Sequence, residues 1–297
     1  MPESIIVLLN PAAGSAGKGA HIGALFREAG ANVQIVVLEH GQDPAEAARA
    51  AAAHTSIVVA AGGDGTVSRV AAGLIGTPAA LGVLPLGTLN HFAKDCRIPL
   101  DLTKAVATIV AGHVVSVDVG WVNDRVFLNA SSIGIYPNII EVREQLRRQG
   151  YRKWLAFAIA TFRVLRHYRG VFVRIEASDG RHSAWRTPFV FVGNNEYTVD
   201  GLGLGSRATL SGGRLFIYLT PRVRARELPM LLARALAGRA RQSGAFEITS
   251  ARELRIDTPH ARRIRVAFDG ELTKMRTPLH YRTAPGALKV IQPAGVS

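Results

Sequence analysis

Five residues, Gly62-Gly63-Asp64-Gly65-Thr66, follow directly on an apolar run and precede a helix-like stretch. Glycines in such a place let the backbone turn tightly and approach a bulky anion with no Cβ in the way. The first turn of the next helix adds unpaired N–H groups and the positive end of its dipole, so the pattern suits phosphate. A carboxylate does not hold bare phosphate. Asp64 therefore asks for a divalent metal shared with the phosphates, or for a hydroxyl whose proton it takes. Taken alone, the pentapeptide has a lesser alternative reading as a glycine-rich turn with Asp64 as N-cap. A second loop, Asn10-Pro11-Ala-Ala-Gly14-Ser-Ala-Gly17-Lys18-Gly19, also follows a strand signal. It fails the Walker A pattern, because Ala12 stands where the first glycine belongs and Gly19 where the hydroxyl residue belongs. What remains is a phosphate-cradling loop with Lys18 as a point charge, or an ordinary strand-to-helix loop. The third, Pro85-Leu-Gly87-Thr88-Leu-Asn90, is weak alone. Three such loops at successive strand ends carry much more weight than one.

The elements that must position these loops are legible in the first ~118 residues. Short apolar runs at 5–10, 33–38, 56–63 and 80–87 alternate with helix-like stretches at 18–29, 43–53 and 66–75. Asp43-Pro44 opens the second helix as N-cap and first helical residue. Apolar strands separated by helices predict a parallel sheet covered on both faces, whose ligands sit at the carboxyl ends of the strands. After residue 118 the pattern becomes short strands with turn residues between them. DVGWVNDRVFLNASSIG reads as two strands joined at Asn123-Asp124, and 170–194 as two joined at Asp179-Gly180. Further strand signals lie at 213–220, 246–258 and 263–272, with helices at roughly 138–168 and 225–240. The expectation is an α/β nucleotide-binding domain over 1–118 and an antiparallel β-sandwich over 119–286. The last strand, 287–292, could belong to either.

Together these residues resemble the diacylglycerol kinase catalytic-domain family, which includes bacterial lipid kinases and sphingosine and ceramide kinases. The matching stretches are 10–19, 62–66 and 85–95 in the first half, and 117–135, 193–205 and 266–272 in the second. The resemblance implies an ATP-dependent lipid kinase with a cleft between an α/β domain and a β-sandwich, acting on diacylglycerol or a related lipid. It implies ATP contacts from Asn10, Pro11, Gly14, Gly62, Gly63, Gly65, Thr66 and Thr88, with Lys18 and Asn90 supporting the phosphates. Glu271, in Asp269-Gly270-Glu271, matches the family's general base, and Asp64 would organise Mg²⁺. A base role for the aspartate of this motif is also considered in the family's sphingosine kinases, so the resemblance leaves the base as Asp64 or Glu271. Without the resemblance, Asp269-Gly270-Glu271 would be read as a tight hairpin turn. Two positions depart from the family. Leu210-Ser-Gly-Gly213 lacks the carboxylates of a structural magnesium site, so that site is expected to be absent or altered. Leu38 stands where an ATP-contacting Thr is frequent.

Composition narrows the partners. The chain has 297 residues, about two domains' worth at ~150 each. It carries 36 Lys and Arg against 22 Asp and Glu, a formal net charge of +14. One cysteine, Cys96, excludes an intrachain disulfide and fits a reducing compartment. No run reaches the ~18 apolar residues of a membrane span, and the N-terminus lacks a signal peptide's apolar region. The expected location is the cytoplasm, with peripheral membrane contact. An excess of positive charge suggests a membrane surface, a nucleic acid or a phosphorylated substrate. From Arg143 to Arg169 seven arginines and Lys153 oppose one acid, Glu144, around the apolar WLAFAIATFRVL of 154–165. That is the composition of an interfacial anchor on an anionic membrane, or of a sandwich-capping helix with a solvated basic rim. Arginines at 222, 224, 226, 234, 239 and 241 extend the charge, and no zinc-ligand or RNP motif points to nucleic acid. A second copy of the chain is the remaining candidate partner. The competing functions are a NAD-kinase-like enzyme, which shares the GGD motif, and a catalytically silent membrane-binding scaffold.

Overall fold

The computed structural model describes residues 5–11, 18–167, 170–200, 203–219 and 247–295. It forms two compact units, Met1–Val119 with Ala284–Ser297, and Gly120–Thr283.

In the first unit, β1 (Ile5–Leu9) pairs in parallel with β2 (Val33–Val37) on one side and β3 (Ile57–Gly62) on the other. β3 in turn pairs in parallel with β4 (Ala80–Pro85). Val290, near the end of β18 (Leu279–Ile291), is in parallel register with Leu81 of β4. All residues of β1 and β4 are buried, as strands covered on both faces require. The cover comes from α1 (Lys18–Glu28) packed beside α5 (Leu102–Ala111), and α2 (Pro44–Ala52) beside α3 (Asp64–Leu74). Asp43 caps α2 as its sequence predicts, its carboxylate accepting from the Ala45 N–H at 3.0 Å, with Pro44 at the first helical position. α5 and the five-residue α4 (His91–Asp95) carry no expectation from the periodicity. α5 is nevertheless well punctuated, by Asp101 accepting from Lys104 N–H and by left-handed Gly112 at its end.

The second unit is the expected β-sandwich. One sheet is antiparallel throughout, in the order β14 (Glu247–Ala251), β13 (Leu215–Leu219), β10 (Phe189–Asn194), β7 (Ala130–Gly134), β16 (Arg263–Phe268), β17 (Glu271–Arg276). Facing it, the N-terminal half of β18 pairs with β15 (Glu253–Asp257), β15 with β8 (Val171–Ala177), and β8 with β9 (His182–Thr187). Val173, Ile175, Ile217, Ile256, Val266 and Tyr281 meet in the core that both sheets share. The turns at Asn123-Asp124 and Asp179-Gly180 fall where expected, and left-handed Asn123 and Gly180 supply their positive φ.

Four expectations need correction. The stretch 118–134 makes three strands, β5 (Val114–Val122), β6 (Arg125–Phe127) and β7, because the backbone at 128–130 turns to meet a buried carboxylate. The span 246–258 is two strands in different sheets, β14 and β15. The single helix expected over 138–168 is a pair, α6 (Ile135–Arg148) and α7 (Lys153–His167), interrupted at left-handed Gly150. The glycine-rich 201–205 suggests a flexible turn, yet Gly203 and Gly205 lie in β12 (Gly203–Arg207), which pairs with β11 (Tyr197–Asp200). The helix at 225–240 and the arginines at 222–241 lie outside the described residues, as do Gly14 and Arg169.

Candidate active site

Adjacent parallel strands bring Asn10 and the loops that follow β3 and β4 to one edge of the first sheet, because β1, β3 and β4 are neighbours and all end there. Two contacts bind the loops into one surface. Asn10 follows β1 and donates from Nδ2 to the Thr66 hydroxyl in the first turn of α3, at 2.7 Å. Gly63 and Gly87 touch backbone to backbone, so that a Cβ on Gly87 would stand 2.5 Å from the Gly63 Cα. Gly62 is equally confined, since a Cβ there would lie 2.6 Å from the Thr66 Cβ. The glycines at 62, 63 and 87 are thus needed for loop-to-loop packing before any ligand enters the argument.

Asn90 holds the third loop in shape. It is buried and left-handed, with φ 50°. Its Oδ1 accepts from Gly87 N–H at 3.0 Å, and its Nδ2 donates to the carbonyls of Gly87 and Pro85. Its amide therefore serves the loop backbone, while Thr88 beside it is exposed. Asp64 is the first residue of α3 and not its N-cap, a position taken by Gly63. Its Oδ1 accepts from the Phe92 N–H at 3.2 Å, and the side chain remains partly accessible. Lys18 opens α1 and is half-buried, and Pro11 is exposed. Leu38 is buried, its N–H bonded to the Leu9 carbonyl. Cys96 is buried in this unit, as a small core residue would be.

The second unit gathers its own group of residues at one end of the sandwich, where β10, β7 and β16 are neighbours. The hairpin β16–β17 turns through Asp269 (φ 44°) and Gly270 (φ 86°), placing Phe268 opposite Glu271. Glu271 is half-buried at the start of β17, and alternation sets it on the face that carries Val266, Phe268 and Met275. Its neighbour Asp269 is buried. Its carboxylate accepts from the N–H groups of Leu128 at 2.6 Å, Asn129 at 2.9 Å and Ala130 at 3.2 Å. Buried Arg207 approaches the same segment from the other side. It donates to the carbonyls of Leu128 (2.7 Å) and Asn194 (3.0 Å) and to Asn129 Oδ1 (3.0 Å). The peptides of 128–130 thus stand between a buried anion and a buried cation, so both charges have polar partners inside the domain. Sequence reasoning missed Asp269 and Arg207. An Asp before the Gly of a hairpin reads as turn chemistry, and nothing marks Arg207 among many arginines.

A bound nucleotide and its Mg²⁺ fit what these residues offer. The glycine cradle admits no Cβ, and Asp64 presents a hard oxygen donor beside it. Among the described residues no cluster of three or more His, Cys, Asp or Glu could hold a metal by itself. In the segment 210–213, Gly212 abuts the buried amide of Asn195, whose Nδ2 and Oδ1 have no partner among the described residues.

A parallel α/β sheet with glycine-rich loops along one edge and an antiparallel sandwich together define the class of two-part α/β and β-sandwich proteins. Residues 4–122 match the diacylglycerol kinase catalytic domain, and residues 132–292 the YegS C-terminal NAD kinase beta sandwich-like domain. The chain belongs to the family that joins a diacylglycerol kinase catalytic domain to a YegS C-terminal domain. It is 33% identical to a diacylglycerol kinase of Staphylococcus saprophyticus subsp. saprophyticus over 142 residues, 47% of this chain and 46% of that one. It is 35% identical to a Yersinia enterocolitica protein called "Probable lipid kinase YegS-like" over 154 residues, 50% of this chain and 52% of that one. The chain spans about half the length of the curated relatives it matches. A crystal structure of a diacylglycerol kinase from Bacillus anthracis str. Sterne has the same fold. Its TM-score is 0.72 at 20% identity, covering 99% of this chain and 98% of that chain.

Proposed function

We propose that the protein is an ATP-dependent lipid kinase, transferring the γ-phosphoryl group of ATP to the hydroxyl of diacylglycerol or a related lipid. The observation that carries this reading is the stitched loop edge of β1, β3 and β4, where Asn10 bonds Thr66 and Gly63 lies against Gly87. Backbone amides and small residues there suit a polyphosphate, and Lys18 adds a charge. Mg²⁺, when bound, neutralises the phosphate oxygens. The acceptor oxygen bonds to phosphorus as the bond to the leaving ADP oxygen breaks, and the hydroxyl proton passes to a carboxylate, Asp64 or Glu271.

The lipid would be met at a membrane surface through α7. Trp154 is 78% exposed and Phe162 65%, with Leu155 and Phe157 also exposed. Arg147, Arg148, Arg152, Lys153, Arg163 and Arg166 are on or near this helix. Aromatic residues among cations form an interfacial surface for an anionic bilayer. No helix among the described residues is long and apolar enough to cross a membrane.

The test offers labelled ATP with diacylglycerol-containing vesicles and NAD side by side. Label is expected on the lipid, with Asp64→Asn and Glu271→Gln each lowering turnover. Label on NAD alone would replace this reading with the NAD-kinase one, and no transfer to either would leave a scaffold.

A further inference from the structure

The outer face of β16–β17 carries an arrangement that the kinase reading does not use. In this hairpin Arg263 is directly opposite Arg276, and Arg265 directly opposite Lys274. Alternation sets all four cations on one face and Glu271 on the other. Like charges directly opposite on neighbouring strands destabilise the pair, so a hairpin with two such pairs holds an electrostatic cost in its empty state.

Three of these cations line a cavity of about 260 Å³ inside the second unit. Arg263, Arg265 and Lys274 line it together with Gly134, Asn138, Gly170 and three apolar side chains. Gly134 and Gly170 both have positive φ, 101° and 75°, and bring backbone rather than side chain to the wall. One carboxylate answers the three cations. Glu141 on α6 meets Arg265 with Nε to Oε2 at 2.7 Å, and Asn138 Oδ1 lies 3.4 Å from the Arg265 Nη1. The ion pair holds the Arg265 guanidinium beside α6, although its buried Nε makes no aligned hydrogen bond. Among the described residues Arg263 and Lys274 have no ion-pair partner.

We propose that this cavity is a binding site for a phosphate-bearing anion. A guanidinium already oriented by a carboxylate, a second guanidinium and an ammonium around a pocket of this size suit a tetrahedral oxyanion, and two arginine forks favour phosphate. The phosphate could come from an anionic lipid headgroup or from a soluble phosphate, since both present the same oxygens.

The test uses the full chain and the double variant Arg263→Ser/Lys274→Ser. Arg265 is left intact because its ion pair holds α6. Arg252→Ser/Arg255→Ser removes equal charge from exposed positions of the same unit that do not line the cavity. Pyrophosphate binding is measured by calorimetry, and vesicle binding by co-sedimentation with phosphatidylglycerol mixed into phosphatidylcholine. Losing two charged donors should weaken the bound partner by at least roughly tenfold in the cavity variant and not in the control. A loss confined to pyrophosphate supports the site with a soluble phosphate as ligand. A loss confined to anionic vesicles, larger than that of the control, supports it with a lipid headgroup. Equal affinities of wild type and cavity variant for both probes overturn it. The ligand-free cavity variant should melt at or above wild type, since repulsion is relieved. Lys274→Gln alone gives a smaller loss in the same direction if the double variant does not fold. The comparison involves only residues of the second unit, so it stands or falls separately from the kinase reading.

Discussion

A single methyl group on Gly87 would meet the Gly63 backbone, which cannot rotate away as a side chain could. Gly87→Ala is therefore expected to cost about 1–3 kcal/mol by overpacking and to raise the KM for ATP, read from thermal melts and initial rates. Asp269→Ala removes the acceptor for three backbone N–H groups and is expected to cost about 3–5 kcal/mol in a denaturant titration. Asp64→Asn keeps the shape and an acceptor for Phe92 N–H while removing the charge. It should melt close to wild type yet lose about 10²–10⁴ in kcat, the range expected of an acid–base or metal-organising carboxylate. The same comparison on Glu271→Gln separates the two candidates by the size of each loss. At this scale the motifs were legible because glycine, Asp and Asn at strand ends are chemically unusual. The tasks of individual residues were less so. Asn90, expected to support phosphates, bonds its own loop, and Asp269, read as part of a turn, holds a segment some 140 residues away in sequence. Long-range partners of this kind leave no mark on local sequence.

Elements followed the hydrophobic period where the period was clean. The four parallel strands lie within a few residues of their apolar runs, since a strand buried on both faces leaves little room for polar residues. The helix pair α6–α7 departed from expectation because Gly150 lies inside an otherwise continuous stretch of helix formers. That break lets the two helices pack together, with Ile139 and Leu146 of α6 meeting Ala156 and Ala160 of α7. Trp154, Leu155, Phe157 and Phe162 of α7 are turned outward, which supports the proposed role at a bilayer. Trp154→Ser/Phe162→Ser should change stability by no more than about 0.5 kcal/mol, since both side chains are exposed. Its affinity for anionic vesicles should nevertheless fall by at least roughly tenfold, through loss of two aromatic anchors. Unchanged sedimentation with vesicles would remove α7 from the membrane proposal.

Over the whole molecule, the charge and the buried core set the response to conditions. With a net charge of +14, the proposed binding to an anionic bilayer is expected to weaken as salt rises from low to physiological concentration, measured by co-sedimentation with vesicles. Tyr281 lies in the sandwich core, where burial pushes its phenol well above the usual range and the hydrogen bond with Ser131 only partly opposes this. The unfolded chain ionises near the ordinary tyrosine value of 10.0 while the folded one keeps its proton. This contribution to stability is therefore complete below that pH and is lost as pH rises above it, by up to about 1.4 kcal/mol per unit. Tyr281→Phe should flatten the alkaline side of the stability profile in melts at pH 9–11.

The central claim, that the chain moves phosphate from ATP to a lipid hydroxyl, is tested most directly by incubation with γ-labelled ATP and a total membrane lipid extract, followed by separation of the lipids. The expected result is label in a phospholipid, formed by wild type and not by Asp64→Asn, whose mass identifies the acceptor. ATP hydrolysed or retained with every lipid unlabelled would contradict it.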